Sequence, residues 1–244
     1  MADLDYLVLE LGNPLDSIAL ISGLHARGGF NNVTPDDKIF TNNLEFKPEY
    51  LSLEPKEWFP GFDKFPAPDD WLKQWCLKKP WLVYLSGHYN GFLYNSKEPD
   101  PNFTASFGTK GTLAIKANAA DKSFSCSSLN TGCSVVIVVG CSILSEADWR
   151  NEMQTFLESA SGNPTILGFY KKCPTEKQNL LVKYFVEGLP ATGTPTESEM
   201  CAAWFAAAKK WKADSPSYAG NVGYMTSAGK VFVPDANFDP VEGS

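Results

Sequence analysis

Short apolar runs that are typical of buried strands recur along the chain. The clearest are residues 5–11 (DYLVLEL), 81–87 (WLVYLSG), 134–140 (SVVIVVG) and 164–170 (PTILGFY). The first three end at or just before a glycine, which is a common strand boundary. The unbroken valine and isoleucine content of residues 134–140 favours a central parallel strand that is covered on both faces.

Capping residues, together with apolar spacings of three and four, predict four helices. One helix is capped by Asp69 or Asp70 and ends at Pro80, and another begins at Ser145. The other two begin at capping boxes, formed by Thr175 with Gln178 and by Thr196 with Glu199. The helix from Ser145 has an apolar face that contains Trp149, Met153, Phe156, Leu157 and Ala160. The last helix carries an apolar stripe, interpreted as core, that contains Met200, Ala203, Trp204, Ala207 and Trp211.

The remaining segments have weaker patterns. We interpret residues 18–24 as a weaker strand, 30–68 mostly as packed loops, 91–118 as one or two hairpins, 120–133 as a loop, and 222–233 as a hairpin that turns at 227–229. Strands that alternate with helices predict an α/β fold with a mostly parallel central sheet, arranged as a three-layer sandwich. No linker divides residues 1–244, so a single domain is expected.

Charge and composition exclude several classes of function. The 244 residues carry a net charge of −7, with 28 acidic and 21 basic side chains, which argues against a nucleic-acid partner. No apolar run approaches the length of a membrane helix, and the first residues are acidic where a signal peptide is basic. A cytoplasmic location with no membrane partner is therefore the expectation.

Metal and cofactor motifs are missing from the sequence. The six cysteines form no CxxC pair, there are two histidines, and neither GxGxxG nor GxxxxGK[ST] occurs, so no metal or cofactor is predicted. Free thiols are expected in a reducing cytosol, whereas Cys126 and Cys133 could pair in an exported protein.

His88 and Cys141 are the candidate reactive residues. Each directly follows a predicted parallel strand, and reactive groups gather at the carboxyl ends of such strands. A neighbouring imidazole can hold a thiol proton, and the helix from Ser145 would favour a thiolate near its first turn. Two simpler readings stay open: Cys141 as an inert buried thiol, and His88 as a turn residue. His25 is a rival base in a weaker context.

These residues resemble a family of peptidases. Gly87-His88 and Gly140-Cys141 each close a hydrophobic strand, and the histidine and cysteine lie 53 residues apart. This order and interval are similar to those of the caspase, gingipain, clostripain and CHAT clan of cysteine peptidases. Downstream, PTILGFYKK, NLLVKYFVEGL and EMCAAWFAAAKKW resemble the gingipain/CHAT continuation. The resemblance covers about residues 69–212 and leaves residues 1–68 without a match.

The resemblance implies a caspase-like fold and a His-Cys dyad that cleaves a peptide or protein substrate. Cys141 would be the nucleophile and His88 the general base and acid, with backbone donors for an oxyanion around Gly87, Tyr89, Gly140 and Cys141 itself. The family's histidine is followed by glycine, whereas Tyr89 follows His88 here. Two other functions stay open: a binding or scaffolding module of the same fold without activity, and a cysteine-dependent acyl transferase or amidase.

Overall fold

The computed structural model describes residues 4–10, 14–33, 79–89, 93–94, 103–108, 112–117, 120–125, 133–161, 164–174 and 178–243. Strands and helices within these ranges are numbered in chain order. Several predictions lie outside them: the helix from residues 69–70 to Pro80, most of the loops in residues 30–68, and the capping box at Thr175.

The main sheet has eight strands and is mixed. Its strands are β1 (Leu4–Glu10), β2 (Phe30–Asn32), β3 (Leu82–Ser86), β9 (Val135–Val139), β10 (Thr165–Phe169), β11 (Val222–Met225), β12 (Val231–Pro234) and β13 (Pro240–Glu242). Their order is β13-β12-β11-β10-β9-β3-β1-β2. The pairings among β2, β1, β3, β9 and β10 are parallel, and β11, β12 and β13 continue the sheet in antiparallel pairings. The predicted α/β class with a mostly parallel sheet is confirmed.

Strand β9 lies in the interior of this sheet. It pairs with β3 on one side and with β10 on the other, and all five of its residues are buried. The central strand predicted at residues 134–140 is therefore confirmed. The hairpin predicted at residues 222–233 is confirmed as β11 and β12, which turn through Gly229 at a φ of +76°.

A second sheet is antiparallel and lies between β3 and β9 in the sequence. It contains β4 (His88–Tyr89), β5 (Leu93–Tyr94), β6 (Phe103–Gly108), β7 (Thr112–Ala117) and β8 (Ala120–Ser125), in that order. The hairpins predicted within residues 91–118 are confirmed. The loop prediction for residues 120–133 is wrong at 120–125, because these polar residues pair with β7 and so satisfy their backbone hydrogen bonds.

The described helices are α1 (Pro14–Arg27), α2 (Ala147–Ser161), α3 (Gln178–Gly188) and α4 (Glu197–Trp211). The strand prediction for residues 18–24 is wrong, because these residues form the middle of α1. Ile18, Ile21 and Leu24 are buried at a helical spacing of three, and the helix ends at Gly28 with a φ of +75°. Of the helices described here, none is both long and apolar enough to cross a membrane.

Helices cover the main sheet unequally. Helices α1, α3 and α4 share one core with side chains from its strands, and the predicted apolar stripe of α4 is buried in that core, as Met200, Ala203, Trp204, Ala207 and Trp211. On α2, Met153 is buried outside this core, and the helix contacts β6 and β7 of the second sheet. Because every residue of β9 is buried, only the residues at its ends can contact a ligand.

The capping box at the start of α4 is present as predicted, and it supplies a stability test. The Thr196 hydroxyl accepts a hydrogen bond from the backbone N–H of Glu199, and the Glu199 carboxylate accepts one from the Thr196 N–H. We expect Thr196→Ala to lower the free energy of unfolding by about 1 kcal/mol, because a helix N–H loses its acceptor. Urea unfolding measures this, and Ser198→Ala in the same exposed turn is the control. Equal effects of the two changes would contradict the assignment.

Candidate active site

The ends of two central strands bring His88 and Cys141 to the same edge of the sheet. Strands β3 and β9 are parallel neighbours with Ser86 opposite Val139, and the Gly87 N–H donates to the Val139 carbonyl at 3.1 Å. His88 and Cys141 are each two residues beyond this matched pair. Both therefore leave the sheet at its carboxyl edge, on adjacent strands.

This edge also contains the point where the strand order reverses. The chain passes from β1 to β2 at one side of the sheet and then returns to add β3, β9 and β10 on the other side of β1. In open α/β sheets, ligands bind beyond the carboxyl ends of the strands at such a reversal. His88 lies two residues beyond the end of β3, one of the two strands that flank the reversal.

Residues around His88 belong to the start of the second sheet. Gly87, His88 and Tyr89 are all half-buried, and in β4 His88 pairs with Tyr94 and Tyr89 with Leu93. Tyr89, which follows His88 where the resemblance would place a glycine, is thus a strand residue.

Tyr89 also has an unusual electrostatic environment. Burial, followed by the nearby carboxylates of Glu146, Glu152 and Asp148, raises the pKa of its phenol to about 12. The phenol therefore stays protonated at neutral pH, beside an acidic start of α2.

The sulfur of Cys141 contacts a residue that the sequence did not single out. Cys141 is half-buried, and its Sγ accepts a hydrogen bond from the Cys173 N–H at 3.3 Å and donates to the Cys173 carbonyl at 3.5 Å. Cys173 follows β10, which lies on the opposite side of β9 from β3. The sulfur is thus directed to the β10 side in this structure, and the side chain of His88 follows the strand on the other side.

A tight turn follows Cys141 and leads into α2. Ser142 has a φ of +57°, which is uncommon for a residue other than glycine. Its N–H donates to the Lys171 carbonyl at 2.9 Å, and its own carbonyl accepts from the N–H groups of Ser145 and Glu146. Residues held in such a conformation by their surroundings cluster at functional sites, so the turn is consistent with a functional site at Cys141.

The other candidate base and two further thiols lie elsewhere. His25 is exposed in the last turn of α1, near the amino end of β1, where the Leu4 N–H donates to the Gly29 carbonyl. It is therefore at the opposite edge of the sheet from Cys141. Cys133 precedes β9 and is fully buried, and burial raises its pKa to about 12. Burial and then the Glu197 carboxylate raise the pKa of Cys201 to about 12.

Comparison with known proteins gives no family assignment. No family model matches the chain, and no curated protein matches it. Within the described ranges, His, Cys, Asp and Glu side chains form no group of three that could hold a metal ion. The candidate reactive groups lie at the carboxyl edge of the main sheet, where an imidazole and two half-buried thiols follow three adjacent parallel strands.

Proposed function

We propose that this protein is a cytoplasmic cysteine endopeptidase of caspase-like fold, with Cys141 as nucleophile and His88 as general base. The observation that carries the proposal is the register of β3 and β9, in which Ser86 opposite Val139 puts His88 and Cys141 just past adjacent strand ends. The interval of 53 residues and the two Gly-terminated strands of the resemblance agree with this arrangement.

The dyad would act by acyl transfer. His88 takes the proton of Cys141, and the thiolate sulfur attacks the carbonyl carbon of the peptide bond. The tetrahedral intermediate collapses as the C–N bond breaks, and the amine leaves with the proton from His88. Water, deprotonated by His88, then attacks the thioester carbon, which releases the carboxylic acid and restores the thiol.

Backbone donors for the oxyanion are restricted by the turn after Cys141. The Ser142 N–H is already bonded to the Lys171 carbonyl, so it is not a free donor. The N–H of Cys141 is the donor that the resemblance implies at the nucleophile, and Gly87 and Gly140 allow the backbone to approach a substrate closely. Tyr89 lacks the backbone freedom of a glycine in β4. The oxyanion donor next to His88 is therefore the part of the site that differs from the pattern of the resemblance.

The proposed reaction would release the Cys141 sulfur from its hydrogen bonds with Cys173. The sulfur now faces Cys173 on the β10 side, and a change of the Cα–Cβ rotamer would carry it to the β3 side, toward His88. The hydrogen bonds lost in this rotation involve sulfur at 3.3 and 3.5 Å, which makes them weak. Substrate binding beyond the carboxyl ends of β3 and β9 would favour the rotated state.

A second candidate function is a binding or scaffolding module of the same fold without peptidase activity. Two observations favour it: the tyrosine directly after His88, and the direction of the Cys141 sulfur toward Cys173. An acyl transferase or amidase would keep the dyad and differ only in its acyl donor or acceptor. Reactivity of Cys141 separates the inactive module from the two enzymes.

The test is the rate at which iodoacetamide alkylates Cys141 at pH 6, read by peptide mass mapping. We expect His88→Ala to slow this alkylation by about 10-fold or more, because the thiolate loses the imidazole that accepts its proton. His25→Ala is the matched control, since it removes the other histidine from the opposite edge of the sheet. The buried thiols of Cys133 and Cys201 serve as slow internal standards.

Two results would contradict the peptidase proposal. One is slow alkylation of Cys141 at pH 6 that is unchanged in His88→Ala, which leaves the binding module as the better account. The other is an equal loss in His25→Ala and His88→Ala, which would indicate a general effect on folding.

A further inference from the structure

Cys141 and Cys173 form a close pair of half-buried thiols at the carboxyl edge of the sheet. We propose that hydrogen peroxide converts this pair into a reversible disulfide, with Cys141 as the oxidised thiol and Cys173 as the resolving thiol. The disulfide itself rests on the contact between the two residues. Its consequence, reversible inactivation, rests on the proposed peptidase function.

The sulfur of Cys141 already lies against the backbone of Cys173. The Cys141 sulfur lies 3.3 Å from the Cys173 backbone nitrogen. Because the N–Cα bond is about 1.46 Å long, the sulfur is within about 4.8 Å of the Cys173 Cα. A disulfide needs the two sulfurs about 2.03–2.05 Å apart, so the Cys173 side chain would have to rotate to bring its own sulfur to that of Cys141. The Cys173 sulfur must leave the Pro174 carbonyl, to which it donates weakly at 3.4 Å.

The backbone beside the two cysteines is already fixed. The N–H of Ser142, next to Cys141, donates to the carbonyl of Lys171, two residues before Cys173. The Lys172 carbonyl accepts a hydrogen bond from the Asn221 side chain at 2.8 Å. The first bond holds the segments after β9 and β10 together and the second anchors the latter segment to Asn221, so disulfide formation requires little loss of backbone freedom.

The other described cysteines are not suited to this chemistry. Cys133 and Cys201 are 4% and 7% exposed, whereas Cys141 and Cys173 are both partly open to solvent. Of the described cysteines, two are therefore buried, and the other two are partly accessible, with the Cys141 sulfur against the Cys173 backbone. Oxidation by a small peroxide follows thiolate character and exposure, so it is expected at the accessible pair.

The chemistry balances in two steps. The Cys141 thiolate attacks one oxygen of hydrogen peroxide, so that an S–O bond forms, the O–O bond breaks, and hydroxide leaves and is protonated to water. The Cys173 thiolate then attacks the sulfenic sulfur, so that an S–S bond forms, the S–O bond breaks, and a second water leaves. Two thiols are oxidised and one peroxide is reduced to two waters.

The two directions available to the Cys141 sulfur would then have separate roles. Toward β3 the sulfur meets His88 and can attack a substrate, and toward β10 it meets Cys173 and can be oxidised. A disulfide would hold the sulfur on the β10 side and prevent further oxidation to sulfinic acid, which is irreversible for most proteins.

In the experiment, the folded 244-residue chain is treated with a small excess of hydrogen peroxide, the remaining thiols are alkylated, and the peptides are mapped without reduction. We expect a Cys141–Cys173 linked peptide as the main product, and recovery of alkylatable Cys141 after treatment with dithiothreitol. In Cys173→Ser the linked peptide should be absent, and Cys141 should accumulate as sulfinic acid. Cys133 and Cys201 should stay alkylatable only after unfolding.

The outcomes distinguish this proposal from the peptidase proposal. Sulfinic acid at Cys141 in the wild type without the linked peptide would overturn the disulfide, as would preferential linkage to Cys76 or Cys126. A Cys141–Cys173 linked peptide, in a protein that has no peptidase activity when reduced, would support the disulfide proposal and overturn the peptidase proposal. Both proposals are supported if peroxide abolishes the peptidase activity of the wild type and of Cys173→Ser, and dithiothreitol restores it in the wild type only.

Discussion

Replacing Cys141 with alanine is expected to lower peptide hydrolysis at least about 10³-fold, because the alanine side chain can form no acyl-enzyme. The measurement is release of fluorescent peptides from a labelled, denatured protein at pH 7 in the presence of dithiothreitol. His88→Ala is expected to cause a loss of similar size. The double variant should be no worse than either single variant, because residues that act as one unit have non-additive effects on rate.

The matched control for Cys141→Ala is Cys173→Ser under reducing conditions. Cys173 contacts the Cys141 sulfur through its backbone N–H and carbonyl, and the substitution retains both groups. Hydrolysis should therefore stay within about 3-fold of the wild type, since only a side chain outside the dyad is changed. Hydrolysis that survives in Cys141→Ala would contradict the assignment of the nucleophile. A wild-type protein that hydrolyses nothing and alkylates slowly at Cys141 would favour the binding module.

The sequence was most informative where a pattern had only one structural solution. The valine-rich run at residues 134–140 is too apolar for an exposed strand and too short for most helices, and it became the buried strand β9. Because parallel strands share one carboxyl edge, the positions of His88 and Cys141 on the same edge followed from the strand assignments alone.

The run at residues 18–24 shows where this reasoning failed. Its seven residues are almost all apolar, so they fit a buried strand as well as the buried face of a helix. The flanking polar residues extend the segment to the 14 residues of α1, and that length distinguishes the two structures. The prediction for residues 120–125 failed for the opposite reason, because this mostly polar segment has no apolar run and its strand is defined by pairing with β7.

The contact between Cys141 and Cys173 could not be predicted from local sequence. It depends on the pairing of β9 with β10 and on the path of residues 170–173, which Asn221 fixes from a distant part of the chain. The available signal was a second cysteine a few residues after a buried strand. That signal has meaning only once the two strands are known to be neighbours.

Trp204→Ala is expected to have the largest effect on stability, lowering the free energy of unfolding by about 3–5 kcal/mol. Trp204 is fully buried in α4, and its ring meets that of Phe185 edge-on at 5.6 Å. The change removes this packing and leaves a cavity between α3, α4 and the sheet. It also removes the donor of the hydrogen bond from Trp204 Nε1 to the Gly223 carbonyl at 3.0 Å. Urea unfolding at pH 7 measures the loss.

Two comparisons make this prediction specific. Trp204→Phe keeps an aromatic ring but not the N–H, so it should cost less than the alanine variant while still exceeding about 1 kcal/mol. Lys209→Ala on the exposed side of the same helix should change stability by less than about 0.5 kcal/mol. A loss below about 1 kcal/mol in Trp204→Ala would mean that the core closes around the missing ring.

The effect should extend to the site, because Gly223 lies in β11 opposite Gly168 of β10, and the segment after β10 carries Cys173. The Trp204 side chain thus supports the pairing of β11 with β10, the strand that leads to Cys173.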